Sequence, residues 1–242
     1  MSAIPKKIHY CWFGGKPLPL QAQRCLASWT YWLPDYDIVR WDEKLFDPQS
    51  HPFTHAAYQA GTFAFVSDYV RMIALYRDGG IYLDTDVEAL ASLDTLLEHD
   101  FFIGLEAPQR FATSVIGAKP GHWLPKAMLD WYDRTPFESN AAKTLVNVNE
   151  VSRLLLAHGF SGKGGDECLG GEHVLEIGRL SSVKSTSCIW QPMTRHWYAG
   201  SWRNHAGKGI GSRTWRKIRK LPGVCNTWLA LQGYRIRRWM MR

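Results

Sequence analysis

At 242 residues, 45% hydrophobic and 21% charged, the chain has the balance of an ordinary globular protein and can bury a core without disulfide support. Its five cysteines are odd in number, scattered and never in a C-x-x-C pair, which argues against a disulfide framework and for a reducing compartment. The net charge of +7 hides a split: all 22 Asp and Glu lie at or before Glu176, whereas residues 177–242 hold 14 Lys and Arg with no acid.

The first residues, Met1 to Lys7, have no apolar run of the kind that starts a leader, and no stretch reaches the length needed to cross a bilayer. The expectation is a cytoplasmic protein, peripheral on the inner face of the cell membrane. Lys7 to Phe13 reads as a short strand stopped by Gly14-Gly15, Leu18 to Leu33 as a helix ended before Pro34, and Asp37 to Trp41 as a second strand. Phe63 to Arg77 carries apolar residues at helical spacing and stops at Asp78-Gly79-Gly80, where glycine can close a helix.

The octapeptide Gly79-Gly80-Ile81-Tyr82-Leu83-Asp84-Thr85-Asp86 follows at once. An apolar run ending in two acids spaced i, i+2 reads as a buried strand that delivers carboxylates to a sheet rim, with Asp84 and Asp86 on the same side. Two like charges held that close need a divalent cation or a shared proton. Asp68 and Arg71, at i, i+3 on the preceding helix, face one way and could reach a ligand at the strand's end. Taken alone, that pair would be a surface salt bridge of little consequence.

Phe101 to Leu105 and Ser114 to Ala118 read as further strands, and Trp123 to Tyr132 and Ala142 to Ala157 as helices. Strand and helix signals that alternate over the first 160 residues indicate an α/β sandwich with its active edge at the strand carboxyl ends. Gly162 to Gly165 marks a loop, and Gly164-Gly165-Asp166-Glu167 is either an acceptor loop or a turn. His9 reads as structural, while Glu172 and His173 have no evident partner. The main domain spans 1–206, and residues 207–242 form a basic tail. In that tail Leu229, Gly233, Ile236 and Met240 share one helical face and Arg235, Arg238 and Arg242 another, with Trp215, Trp228 and Trp239 as interface anchors. This pattern fits an anionic membrane surface better than nucleic acid, for which no binding motif is present.

In combination these pieces resemble glycosyltransferase family 32. The matching residues are Ile4 to Gly15, Ser28-Trp29, Pro34-Asp35-Tyr36, Ser67-Asp68 with Arg71, the octapeptide 79–86, and finally His196 with Gly200-Ser201-Trp202. They occur in the family's order and leave the tail outside. A lone D-x-D is common by chance; S-D-x-x-R ahead of G-G-x-Y-x-D-x-D is specific.

The resemblance implies a GT-A type, Rossmann-like α/β/α sandwich with a mixed sheet, and a retaining transfer of a hexose or N-acetylhexosamine from a nucleotide diphosphate sugar, a UDP-sugar before GDP-mannose. The acceptor would be a surface-polysaccharide, lipid-linked or lipopolysaccharide glycan, as in capsule or lipopolysaccharide synthesis. It also implies Mn²⁺ or Mg²⁺ held by Asp84, Asp86 and His196, with Asp84 shared between metal and ribose. Asp68 and Arg71 would hold donor-sugar hydroxyls, Trp12 would stack near the base, Tyr82 would line the donor site, and Ser201 and Trp202 would close over the diphosphate. Bacterial relatives often carry two histidines where this chain has His196-Trp197, and they place the acceptor near Lys119 to His122. With no evident carboxylate nucleophile, same-face displacement assisted by the leaving phosphate is the expected route. Two other readings stand beside this one: a haloacid-dehalogenase-like phosphatase using Asp84 as nucleophile, and a non-catalytic, membrane-associated carbohydrate-binding protein.

Overall fold

The computed structural model describes residues 4–138, 147–180 and 191–198. Seven strands form a mixed sheet. In chain order they are β1 (Lys7–Cys11), β2 (Asp37–Trp41), β3 (Gly80–Leu83), β5 (Phe101–Ala107), β6 (Arg110–Ala118), β7 (Glu167–Leu169) and β8 (Glu172–Leu175). Their spatial order is β2-β1-β3-β6-β5-β8-β7. β1 pairs in parallel with both β2 and β3, and β5 with β8, whereas β6 runs antiparallel between β3 and β5. A small second sheet joins β4 (Val87–Ala89) to β9 (Thr194–His196).

Alternation along the central strands feeds two apolar layers, because successive side chains on a strand point to opposite faces. Tyr82, Phe101, Ile103 and Ile116 pack beneath α2 (Pro52–Gln59), α3 (Phe63–Asp78), α4 (Trp123–Arg134) and α5 (Asn147–His158). Ile81, Leu83, Phe102 and Val115 face the other way, onto α1 (Leu20–Trp32), β4 and Leu93, Leu96 and Leu97. The result is the α/β/α sandwich of the GT-A fold.

α1 buries Ala22, Cys25, Ser28 and Trp29, spaced to form one helical stripe. Two of these side chains also bond the second sheet: Trp29 Nε1 donates to the Val87 carbonyl at 2.8 Å, and Ser28 Oγ accepts from the Ala89 N–H at 2.9 Å. This gives Ser28-Trp29 a physical role, since the pair clamps β4 to the sandwich.

α3 ends where Gly79, at φ +64°, donates its N–H to the Leu75 carbonyl. Gly80, at φ +103°, then enters β3 so close to β1 that a Cβ would lie 2.6 Å from the Lys7 carbonyl oxygen. Glycine is required there for both reasons.

The strands and helices expected from the sequence are present with small shifts at their ends, and β6 starts at Arg110 rather than Ser114. Four short strands, β4, β7, β8 and β9, and the helix α2 were not expected. α2 opens on Pro52 at its first turn, capped by His51 Nδ1, which accepts from the Phe53 N–H. Residues 142–146 of the helix expected over Ala142 to Ala157 lie outside the described residues, as does the tail 207–242. Among the described residues, no helix is long and apolar enough to cross a membrane.

Candidate active site

Asp84 and Asp86 sit just past the carboxyl end of β3, though not as a continuation of the strand. β3 ends at Leu83, and the Val87 N–H closes a turn onto the Asp84 carbonyl at 2.9 Å. A turn therefore brings the two carboxylates together, which corrects the expectation that strand alternation would do so. One ligand atom each from Asp84, Asp86 and His196 all lie within 4.8 Å of one another.

His196 arrives from β9, where it stands in register with Val87, and the Trp197 N–H donates to the Asp86 carbonyl at 3.0 Å. His196 Nε2 lies 3.2 Å from Asp86 Oδ1, and the His196 ring stacks on Tyr198 at 3.9 Å between centroids. Burial works against a charged imidazole, but the hydrogen bond and charge of Asp86, with Asp84 behind it, raise its pKa above the ordinary value.

Arg71 is 5% exposed, so its pair with Asp68 is no surface salt bridge. Its Nη2 lies 2.6 Å from Asp68 Oδ1 and 3.3 Å from Asp84 Oδ1, and Nη1 donates to the Thr113 carbonyl at 2.7 Å. The guanidinium also lies over the Tyr82 ring at 4.5 Å, and the Tyr82 hydroxyl donates to Asp84 Oδ1 at 3.0 Å. Burial raises Asp68 to about 6, with Arg71 opposing and Asp84 adding to the shift. Asp84 is raised for the same reason, with Arg71 opposing and Asp86 adding. Burial disfavours the Arg71 charge, yet Tyr82 and the two carboxylates hold it firmly protonated.

Sequence reasoning missed Asn147 at the start of α5, which is 3% exposed. Its Nδ2 donates to Asp68 Oδ1 at 2.9 Å, and its Oδ1 accepts from Thr113 Oγ1 at 3.2 Å. No motif marks it, because its partners come from α3 and β6, far away in the chain. Tyr132, from α4, is buried beside the same group and its hydroxyl has no hydrogen-bond partner among the described residues.

Trp12 follows β1 at the same sheet edge as Asp84 and is half-buried, its N–H bonded to the Trp41 carbonyl and its Nε1 to the Lys16 carbonyl at 2.6 Å. Ser201 and Trp202 lie outside the described residues. His9 is structural, as expected: Trp41 Nε1 donates to its Nδ1 at 3.1 Å, and its Nε2 bonds the Gly79 carbonyl at 2.8 Å. Burial lowers its pKa. Asp166 precedes β7 and Glu167 opens it, and both carboxylates accept backbone N–H groups. Lys119 to His122 follow Ala118, which pairs with Gly80, and so occupy the edge opposite Asp84 and away from the acid pair.

Three acids, Asp68, Asp84 and Asp86, thus face one guanidinium and one imidazole, a balance that a divalent cation would neutralise. Two carboxylates and an imidazole suit Mn²⁺, and Mg²⁺ through the oxygens.

A mixed sheet between two helical layers, with a carboxylate pair just past a central strand, is the architecture of the GT-A fold. Residues 19–103 match the family described as glycosyltransferase sugar-binding region containing DXD motif. Among curated proteins the chain is similar to inositol phosphoceramide mannosyltransferase 3 of Schizosaccharomyces pombe, 33% identical over 125 residues, which cover 50% of this chain and 35% of that protein. It is also similar to the mannosyl phosphorylinositol ceramide synthase CSH1 of Saccharomyces cerevisiae, 28% identical over 127 residues covering 49% and 32%. The matched stretch thus spans about a third of the length of these relatives. In fold the chain is similar to the PaToxG glycosyltransferase, with a TM-score of 0.52 at 18% identity, covering 64% of this chain and 69% of that one. It is likewise similar to the apo form of the glycosyltransferase GlyE of Streptococcus pneumoniae TIGR4, with a TM-score of 0.50 at 10% identity, covering 97% and 64%.

Proposed function

We propose that the chain is a metal-dependent, retaining glycosyltransferase that moves a hexose or N-acetylhexosamine from a nucleotide diphosphate sugar to a glycan or glycolipid acceptor. The observation that carries this reading is the convergence of Asp84, Asp86 and His196 within 4.8 Å, directly beside the Arg71 ion-pair group. Asp84, Asp86 and His196 would hold a divalent ion, which would supply positive charge against a leaving diphosphate as the glycosidic bond breaks.

The protein's own groups do the positioning. Asp68 uses Oδ1 for Arg71 and Asn147, which leaves Oδ2 to accept from a donor-sugar hydroxyl. Arg71 and Tyr82 fix the orientation of Asp84, so its carboxylate meets the ligand already placed. Those same bonds disfavour the phosphatase reading, in which Asp84 must be free to attack phosphorus. Intact acids with an ordered second layer likewise speak against a binding protein without turnover.

Uridine diphosphate sugars head the donor panel, and mannose donors belong beside them because the fungal relatives are named for mannose transfer. Those relatives are also named for a ceramide lipid. A lipid-linked or lipopolysaccharide acceptor, with the enzyme on the inner face of the cell membrane through its basic tail, is the arrangement we favour, and a capsular glycan is the alternative acceptor.

The decisive experiment screens nucleotide sugars for Mn²⁺-dependent thermal shift and slow donor hydrolysis, with Asp86→Ala as control. Stabilisation and hydrolysis that need Mn²⁺ and vanish in Asp86→Ala are expected; phosphate release from phosphomonoesters, with no response to any donor, would overturn the reading. For the tail, a chain truncated after residue 211 is expected to lose binding to anionic liposomes, and undiminished pelleting would remove the membrane role.

A further inference from the structure

At the sheet edge opposite Asp84, the starts of β5 and β8 and the end of β6 frame a cavity of about 490 Å³. Asp100 and Lys119 pair at its rim at 2.5 Å, while Trp123 and Leu169 supply apolar wall. Leu169, the last residue of β7, is 41% exposed and presents its side chain at this rim.

Glu172 lines the same cavity and is 7% exposed. Its Oε1 accepts from His122 Nε2 at 2.9 Å and from the Trp123 indole N–H. The His122 tautomer follows from its other bond: Nδ1 accepts from the Leu124 N–H, so Nε2 carries the proton that Glu172 receives. Oε2, in contrast, is shut off from water and accepts no hydrogen bond among the described residues, with His158 Nε2 3.3 Å away. Although burial opposes ionisation, the His122 and Trp123 bonds hold the Glu172 carboxyl below its usual range, so it is a carboxylate at neutral pH. A buried carboxylate oxygen that accepts no hydrogen bond is costly and uncommon, and His158 Nε2 stands only at ion-pair distance from this one.

The His158 side chain, 39% exposed at the end of α5, packs its ring on Trp123 at 4.3 Å. A ligand that reached Oε2 from the cavity would have to turn this side chain aside.

We propose that this cavity is a second carbohydrate site, separate from the transfer site, which holds one pyranose residue of a glycan. A pyranose offers hydroxyl donors for Glu172, hydroxyls that both donate and accept for the Asp100–Lys119 pair, and an apolar C–H face for Leu169 and Trp123. The volume lies within the range of roughly 300–1,000 Å³ common for small-molecule sites. An anion is disfavoured because Glu172 and Asp100 both face the space. A bare metal ion is disfavoured because His122 Nε2 already carries a proton and Lys119 sits against Asp100. A grip at this edge would hold an acceptor chain while its growing end is served at the other.

The test uses the full chain labelled with 5-fluorotryptophan, the Trp123 ¹⁹F signal being assigned with Trp123→Phe. Methyl glycosides of glucose, galactose, mannose and N-acetylglucosamine, their trisaccharides, and inorganic phosphate are titrated in turn. A saturable shift of the Trp123 signal with at least one saccharide is expected, weakened fivefold or more in Glu172→Gln and in Lys119→Ala. If Glu172→Gln does not fold, Asp100→Asn joins Lys119→Ala as the second variant. No saccharide moving the Trp123 signal, phosphate alone moving it, or equal affinity in the folded variants would overturn the proposal. Mn²⁺-dependent donor binding, measured on the same samples, reports the transfer site independently, so failure of one reading is distinct from failure of the other.

Discussion

His196 Nε2 stands 3.2 Å from Asp86 Oδ1, and neither residue owes that approach to its local sequence. The contact is built in stages from the far side of the sandwich. Trp29 and Ser28 on α1 hold β4, β4 pairs with β9, and the Trp197 N–H grips the Asp86 carbonyl. A buried stripe on one helix, through Ser28 and Trp29, thereby sets the geometry of three candidate metal ligands.

Replacing His196 should expose this dependence. His196→Ala removes one of three protein donors and is expected to weaken Mn²⁺ binding by at least the roughly ten- to hundredfold that loss of an outer-shell partner costs. Trp29→Phe, which keeps the ring but loses the bond to Val87, should weaken it by a smaller factor. Calorimetric Mn²⁺ titration of both variants checks this, and unchanged affinity in His196→Ala would remove that residue from the metal set.

Arg71 carries the opposite charge for both Asp68 and Asp84 from a nearly buried position. Removing one partner of a buried ion pair leaves the others uncompensated and costs about 3–5 kcal/mol. Arg71→Met should therefore lower stability by about that much at pH 7 in urea unfolding. Adding Asp68→Asn should restore part of the loss, since it removes one of the stranded charges; a simple sum of the two single effects would deny the coupling.

Asp68 also makes a pH signature. Its folded pKa, about 6, lies above the ordinary 3.8, so between those values the folded state binds more protons than the unfolded one. Stability from this group is therefore highest at low pH and declines as pH rises from about 4 to 6. Carboxylates with lowered values, such as Asp78 and Asp94, act in the opposite sense, so the comparison must be between the native chain and Asp68→Asn. Unfolding free energies measured from pH 4 to 7 should show a difference between the two that shrinks or reverses as pH rises. A difference independent of pH would contradict the burial of an ionisable Asp68.

The sequence makes the central part of this arrangement legible because it is local. Phe63 to Arg77 declares a helix by spacing, Asp78-Gly79-Gly80 declares its end, and the acids follow within six residues, so helix, strand and carboxylates are read as one unit. Asp37–Trp41 is found at its full length for the same reason. β4, β7, β8 and β9 are three or four residues long, too short for periodicity to register, and they exist through pairing with distant partners. Glu172 shows the limit most clearly: its partners His122, Trp123 and His158 come from the ends of two helices, and no spacing in the chain links them.

Asn147 belongs to the same illegible class and yields a sharp test. It is nearly buried and spans Thr113 and Asp68, so it fixes the rotation of a carboxylate assigned to the donor sugar. Among the described residues, Asn147→Ala leaves Asp68 held by Arg71 alone, and it forfeits a hydrogen bond to a charged group, worth about 1.5–3 kcal/mol. Because Asp68 would contact sugar hydroxyls that are the same in ground and transition states, the loss should fall on donor binding. KM for the nucleotide sugar is expected to rise at least about tenfold with kcat changed far less. Asn147→Asp should be worse, since it sets a second carboxylate against Asp68. A fall in kcat with KM unchanged would instead place Asp68 at the reacting centre, and the role given to this bridge would have to move with it.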